Sequence, residues 1–357
     1  MLSCIAAHIA LHMLSRAQSS TRKEAINTCL KLREDFAAFS ALWIKALADK
    51  VIESWYAITE AAMGNFIAHI VPGLALTLLG LWHTINTTRS YYNNKTSTNF
   101  IVKFWHPFYC PFSMLKYVEP ILILSFCIFS VLDQIFDFPL FRFSFELVNL
   151  EHAAMFLHLA IFAGFTLCTE ITGSSHILSS FTGILATSLF SQELFLLHFH
   201  SADHVGLEGH YHWLLQLIIF TSLLSALAAT FLPTSFPAAL GLSVSVVFQG
   251  CWFMNMGCML WLPQFVPQGC SVNTMLSGGN SGSVIHGAVT CESSYADHRA
   301  RALANLQFSW ILCGIMLVTG CLCLKSAGKS TRSLQQYEQL NTIRGGDSPV
   351  AIIEGFK

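Results

Sequence analysis

Charge is scarce in this chain: Asp, Glu, Lys and Arg make up 11% of its 357 residues, against about 25% in soluble domains. So few charges cannot cover the surface of a water-soluble fold of this size. The formal net charge is -1, and without clustered Lys and Arg to displace counterions a nucleic-acid partner is excluded. Familiar catalytic strings are missing too. No CxxC pair flanks another, which removes a zinc-ribbon reading of the 12 cysteines, and there is no HExxH, P-loop or GxSxG.

What is present is apolar sequence, 54% of the chain. A bilayer core about 30 Å thick is crossed by roughly 20 apolar residues in a helix, which satisfies its own backbone hydrogen bonds. Seven stretches meet that requirement: Phe66 to Ile85, Val118 to Phe136, Leu147 to Cys168, Ile177 to Phe199, Trp213 to Phe231, Pro237 to Leu262 and Leu306 to Leu324. The predicted fold is therefore all-α, a polytopic seven-helix transmembrane bundle whose first partner is the lipid bilayer. Trp82, Trp213, Trp252, Trp261 and Trp310 fall near predicted ends, where an indole favours the interface. Glu119, at the start of the second span, reads as interfacial. Pro72, Pro120 and Pro237 fall in the first turns of spans, where a missing donor does little harm.

Three regions follow: residues 1–62, an N-terminal extension read as a gene-model addition ahead of Met63; residues 63–324, the span domain; and residues 325–357, a flexible polar tail. Leaving out residues 1–62, basic residues divide unequally between the faces. Arg89, Lys95, Lys103, Lys116, Lys325, Lys329, Arg332, Arg344 and Lys357 fall on one side, Arg142, Arg299 and Arg301 on the other. Basic residues stay cytosolic, so the expected topology has a lumenal N-terminus of the span domain and a cytosolic tail. Two sequons, at Asn86 and Asn94, then lie in the cytosol and carry no glycan. The lumenal sixth loop, Pro263 to Asn305, holds Cys270 and Cys291, an even pair that an oxidising compartment is expected to join. In the sixth span Gly241, Gly250 and Gly257 form a small-residue stripe. Such a stripe lets helices approach closely, within one chain or in a homo-oligomer.

Several strings are similar to the plant branch of the transmembrane protein 45 family. They are Met63-Gly64-Asn65-Phe66-Ile67-Ala68-His69-Ile70-Val71-Pro72-Gly73, Gly80-Leu81-Trp82-His83, Asn149-Leu150-Glu151-His152, Glu193 with His200, Gly206-Leu207-Glu208-Gly209 with His212, Phe248-Gln249-Gly250 to Trp252-Phe253, Phe265-Val266-Pro267 to Gly269-Cys270, and Ala302 to Trp310. Their order along the chain carries the resemblance. It implies a seven-span protein catalogued by an unknown-function domain, with animal relatives in endomembranes and some plant relatives associated with responses to viruses. It transfers no catalytic residue. It also favours Met63 as the start.

Ionisable groups in a bilayer are costly and mark candidate sites. Under the expected topology His69, Glu151, His152, Glu193, His198, His200, His204, His210 and His212 gather toward the lumenal leaflet, the last three in the loop before the fifth span. Glu193 and His200 are seven apart, as are Glu151 and His158, which places each pair on one helix face. Imidazole and carboxylate suit Zn²⁺, with His69, Glu151, His152, Glu193, His200 and His212 as ligand candidates. The same groups suit proton or ion handling, and paired His suit haem. Ordinary helix-end hydrogen bonding, an interfacial position or solvation in the loop accounts for them without any ligand and is the commoner case. Two functions stay open: a non-enzymatic endomembrane scaffold or carrier (Golgi, endosome or plasma membrane) linked to trafficking or defence, and a metal-dependent enzyme or ion-handling protein.

Overall fold

The computed structural model describes residues 60–93, 100–108, 116–137, 142–143, 147–174, 177–200, 206–272 and 288–345. Residues 1–59, and with them most of the proposed N-terminal extension, lie outside the described residues, as do Asn94 and His204. The elements are α1 (Glu60–Asn93), α2 (Val118–Ile135), β1 (Phe136–Asp137), β2 (Arg142–Phe143), α3 (Leu147–Ile171), α4 (Ser179–His200), α5 (Gly206–Phe231), α6 (Phe236–Trp261), β3 (Cys270–Val272), β4 (Val289–Cys291) and α7 (Ser294–Gly345). All seven helices are long and apolar enough to cross a membrane. Two short antiparallel hairpins, β1 with β2 and β3 with β4, join helices at one end of the bundle. The protein is thus an all-α, multi-pass integral membrane protein.

Helix ends differ from expectation where polar residues find local partners. α1 continues through Asn86 to Asn93, because Thr84, Asn86 and Thr88 return their side-chain donors to the carbonyls of Gly80, Trp82 and Thr84 at 2.8, 2.8 and 2.6 Å. A polar side chain that bonds one turn back along its own helix does not end a span. With α1 beginning at Glu60, Pro72 lies inside the helix rather than in its first turn. α5 begins at Gly206, whose positive φ of 74° turns the chain into the helix, so His210 and His212 are helical rather than in a loop. α7 begins at Ser294, its first turn supported by Ser293 Oγ accepting from Ala296 N at 3.2 Å and by an Asp297–Arg301 pair at 2.8 Å. The sixth loop is correspondingly shorter. At its other end α7 runs through Lys325 to Gly345, where the sequence suggested a tail. At 1.5 Å per residue this helix, about 78 Å long, outreaches any bilayer.

Packing centres on α5 and α6. Tyr211, Leu215, Ile218 and Ile219 of α5 meet Trp252, Met256 and Leu260 of α6 and Ala300 and Ala304 of α7 in one buried cluster. Trp252, expected near an interface, is fully buried mid-helix and donates Nε1–H to Tyr211 O at 3.1 Å. α1 lies along α6, its most extensive neighbour, and α2 packs chiefly on α3. Glycines set the α1–α6 spacing: a Cβ on Gly73 would stand 2.9 Å from Gly250 O, one on Gly80 2.6 Å from Val247 N, and one on Gly257 3.2 Å from His69 Cβ. Gly73 and Gly80, and Gly250 and Gly257, are heptad-spaced on facing helices, so the small-residue stripe serves packing within the chain.

Candidate functional site

Polar chemistry inside the bundle concentrates at three levels. The first is the end that carries the loop between α1 and α2. Glu119, the second residue of α2, is 7% exposed. Its Oε2 accepts from Trp82 Nε1 at 2.8 Å and from His106 N at 2.9 Å, and its Oε1 stands 2.8 Å from His83 Nε2. This carboxylate ties α1, α2 and the first loop together, a structural role the sequence reading did not anticipate. The His106 ring meets His83 edge-on at 5.0 Å, is buried, and has no partner for its Nε2 among the described residues. Burial pushes its imidazole down to about 3, with His83 and Lys103 adding to the shift.

The loop itself is folded onto the bundle. Val102 N donates to Pro233 O at 2.7 Å, Trp105 Nε1 to Glu170 Oε1 at 3.0 Å, and Phe100 is buried beside Tyr91, Phe236, Ala229 and Ala239. Residues 100–108 of the first loop therefore cap the bundle.

The second level lies within the membrane-crossing length. Gln249 of α6, 1% exposed, donates Nε2–H to the Glu193 carboxylate of α4. Its Oε1 is buried without a partner among the described residues, as is Oε1 of Gln192, whose Nε2 donates to Ala154 O at 3.3 Å. One turn and more toward the first-loop end, His158 Nε2 meets Ser188 Oγ at 2.9 Å.

The third level is the end closed by the β3–β4 hairpin. Cys270 and Cys291 face each other in register and are joined, S–S 2.02 Å. Glu208 Oε2 accepts from Ala288 N at 2.6 Å, fastening the hairpin to α5. Tyr211 Oη and Asn255 Nδ2 both donate to Gln307 Oε1, at 2.7 and 3.2 Å.

The sequence-derived ligand candidates lie on α1, α3, α4 and α5. His69 lies against Trp261, ring centroids 4.4 Å apart. Glu151 and His152 are half-buried in the first turns of α3. Glu193 pairs with Gln249, and His212, buried, has its Nδ1 3.0 Å from Glu208 O on its own helix. The His200 side chain is outside the described residues. Among the described residues no three His, Cys, Asp or Glu side chains are grouped to hold a metal ion. His158 and Glu193 have different partners, Ser188 and Gln249. Sequence reasoning missed His83, His106 and Gln249; the adjacent Trp82-His83 near a predicted span end and an amide inside the sixth span were the available signals.

One comparison bears on these helices. Residues 179–324 match the model of a family of unknown function (DUF716). The matched stretch runs from the start of α4 into α7. It includes the Glu193–Gln249 pair, the Cys270–Cys291 hairpin and the α6 glycines, while the Glu119 centre lies outside it.

Proposed function

We propose that this chain is a member of the plant branch of the transmembrane protein 45 family. In this reading it acts as a non-enzymatic endomembrane scaffold or carrier in trafficking or defence, with the N-terminus of the span domain lumenal and the end of α7 cytosolic. The family reading draws on the ordered strings from Met63 to Trp310, several of them in α1 and α3 beyond the stretch matched by the family model. The orientation draws on the unequal division of Lys and Arg. It also places the Cys270–Cys291 pair in an oxidising lumen.

The observation that carries the non-enzymatic reading is where the buried carboxylates spend their acceptors. Glu119 takes Trp82, the first-loop backbone and His83; Glu208 takes the hairpin backbone at Ala288; Glu193 takes Gln249. Each joins two elements, the use expected of polar groups that hold a bundle together. The test is elemental analysis of the purified, folded protein together with its location in cells. A metal-free protein in Golgi, endosomal or plasma membranes supports the scaffold or carrier. Stoichiometric zinc, lost when His152 and His200 are changed, favours the metal-dependent alternative instead.

A further inference from the structure

We propose that Glu193 and Gln249 form an intramembrane binding site for a single positive charge, a proton or an alkali-metal cation. The site deepens the carrier half of the reading above, and its failure would leave the seven-span account standing.

Position comes first. Counting 1.5 Å per residue, Glu193 lies about 10 Å from the nearer end of α4. Gln249 lies about 18–20 Å from either end of α6. Both are well inside a hydrocarbon core about 30 Å thick. Gln249 is 1% exposed, and its hydrogen bond draws the Glu193 carboxylate into the bundle. Gln249 is thus enclosed within the bundle, and the half-buried Glu193 reaches it from α4.

Chemistry comes second. A carboxylate in this setting calls for a compensating charge, and among the described residues Glu193 has one recorded partner, the neutral Gln249 amide. The titratable groups nearest in level are Glu151 and His152 of α3, within a turn of the Ala154 carbonyl that Gln192 bonds, and the buried His212 of α5, whose Nδ1 stands 3.0 Å from Glu208 O on its own helix. On α3, His158 is engaged with Ser188, and Glu151 and His152 begin the helix; on α4, His198 Nδ1 meets Gln216 Oε1 of α5 at 3.1 Å. On α5, Tyr211 donates to Gln307; on α6, Cys251 faces Thr77 of α1.

The deficit is one of donors. Gln249 Oε1 is buried and unpartnered on the same amide whose Nε2–H serves Glu193, so the pair holds more acceptor than donor capacity among the described residues. Rotating the amide does not cure this, because Oε1 would then face a carboxylate oxygen and the two acceptors would need a proton or cation between them. Carboxylate and amide oxygens are the donors that hard cations take, and ion sites of membrane carriers lie near the bilayer midplane.

The test uses the full chain in lipid nanodiscs. Thermal unfolding midpoints are measured from about pH 6 to about pH 9, with NaCl or KCl against choline chloride. In parallel, Glu193 is labelled with dicyclohexylcarbodiimide, which attacks protonated carboxyls, and read by mass spectrometry. A proton site predicts labelling at the acid end and a midpoint that falls toward the alkaline end whatever the salt. A metal-cation site predicts that Na⁺ or K⁺ raises the alkaline midpoint and suppresses labelling. In either case Glu193→Gln, which needs no charge, loses the dependence. If wild type and E193Q respond identically to pH and to salt, the proposal is overturned. Should E193Q not fold, Gln249→Leu decides: at a metal-cation site the loss of Oε1 weakens apparent cation affinity about tenfold, at a proton site the loss of the Nε2–H donor to the carboxylate raises apparent proton affinity, and unchanged affinity for both overturns the site.

Discussion

Gly250 of α6 lies so close to Gly73 of α1 that a Cβ on Gly250 would stand 2.6 Å from the Gly73 carbonyl oxygen. Backbone, not a flexible side chain, blocks the way, so the helices would have to separate. Gly250→Ala should destabilise the bundle by about 1–3 kcal/mol, the usual range for overpacking, and Gly250→Leu by more. Gly314 on α7 has nothing within 4 Å of an added Cβ, so Gly314→Ala should be near neutral. Thermal unfolding in matched lipid compares the three.

Glu119 predicts a different pattern. Its carboxylate is buried beneath three donors from two other segments, so Glu119→Ala leaves Trp82 Nε1 and His106 N without an acceptor, at roughly 1–3 kcal/mol for each buried group. Glu119→Gln keeps an acceptor and should lose less. Hydrogen exchange at Val102, whose N–H bonds Pro233 O, should rise most in the alanine variant. Equal exchange in all three proteins would mean that the carboxylate does not hold the cap.

His106 gives the cap a pH dependence with a definite sign. The buried ring is held well below the ordinary histidine value, at about 3, while in an opened cap it would titrate near 6.5. The closed cap therefore binds fewer protons than the open one between those values. Its stability is fully present above about pH 6.5 and declines as pH falls below it, by up to about 1.4 kcal/mol per unit. Protection of residues 100–108, corrected for intrinsic exchange, should fall from pH 7 to pH 5 in wild type. His106→Phe should flatten that profile.

The β3–β4 hairpin carries the fourth prediction. Cys270 and Cys291 are joined, so both should resist a thiol-reactive reagent until reduced, and reduction should loosen the hairpin that Glu208 holds to α5. Labelling of either cysteine without reduction would contradict the pairing.

The seven spans were legible because bilayer thickness imposes length and apolarity on any helix that crosses it, a constraint read directly from runs such as Val118 to Phe136. Their ends were less so. Asn86 and Thr88 look like loop residues until their i−4 carbonyls are counted as partners, and Ser293 reads as a cap only once a helix is seen to follow it. The facing glycine pairs show the limit from another side: spacing within α6 was visible, but its match with Gly73 and Gly80 depends on which helices touch. The same holds for Glu119 and Gln249, whose partners Trp82, His83, His106 and Glu193 come from other elements and share no sequence period with them.

The central claim, seven crossings of one bilayer, is tested most directly by its parity. With an epitope inserted ahead of α1 and another after Gly345, protease added to sealed vesicles should remove one tag and spare the other. Protection of both, or loss of both, would mean an even number of crossings and contradict the account.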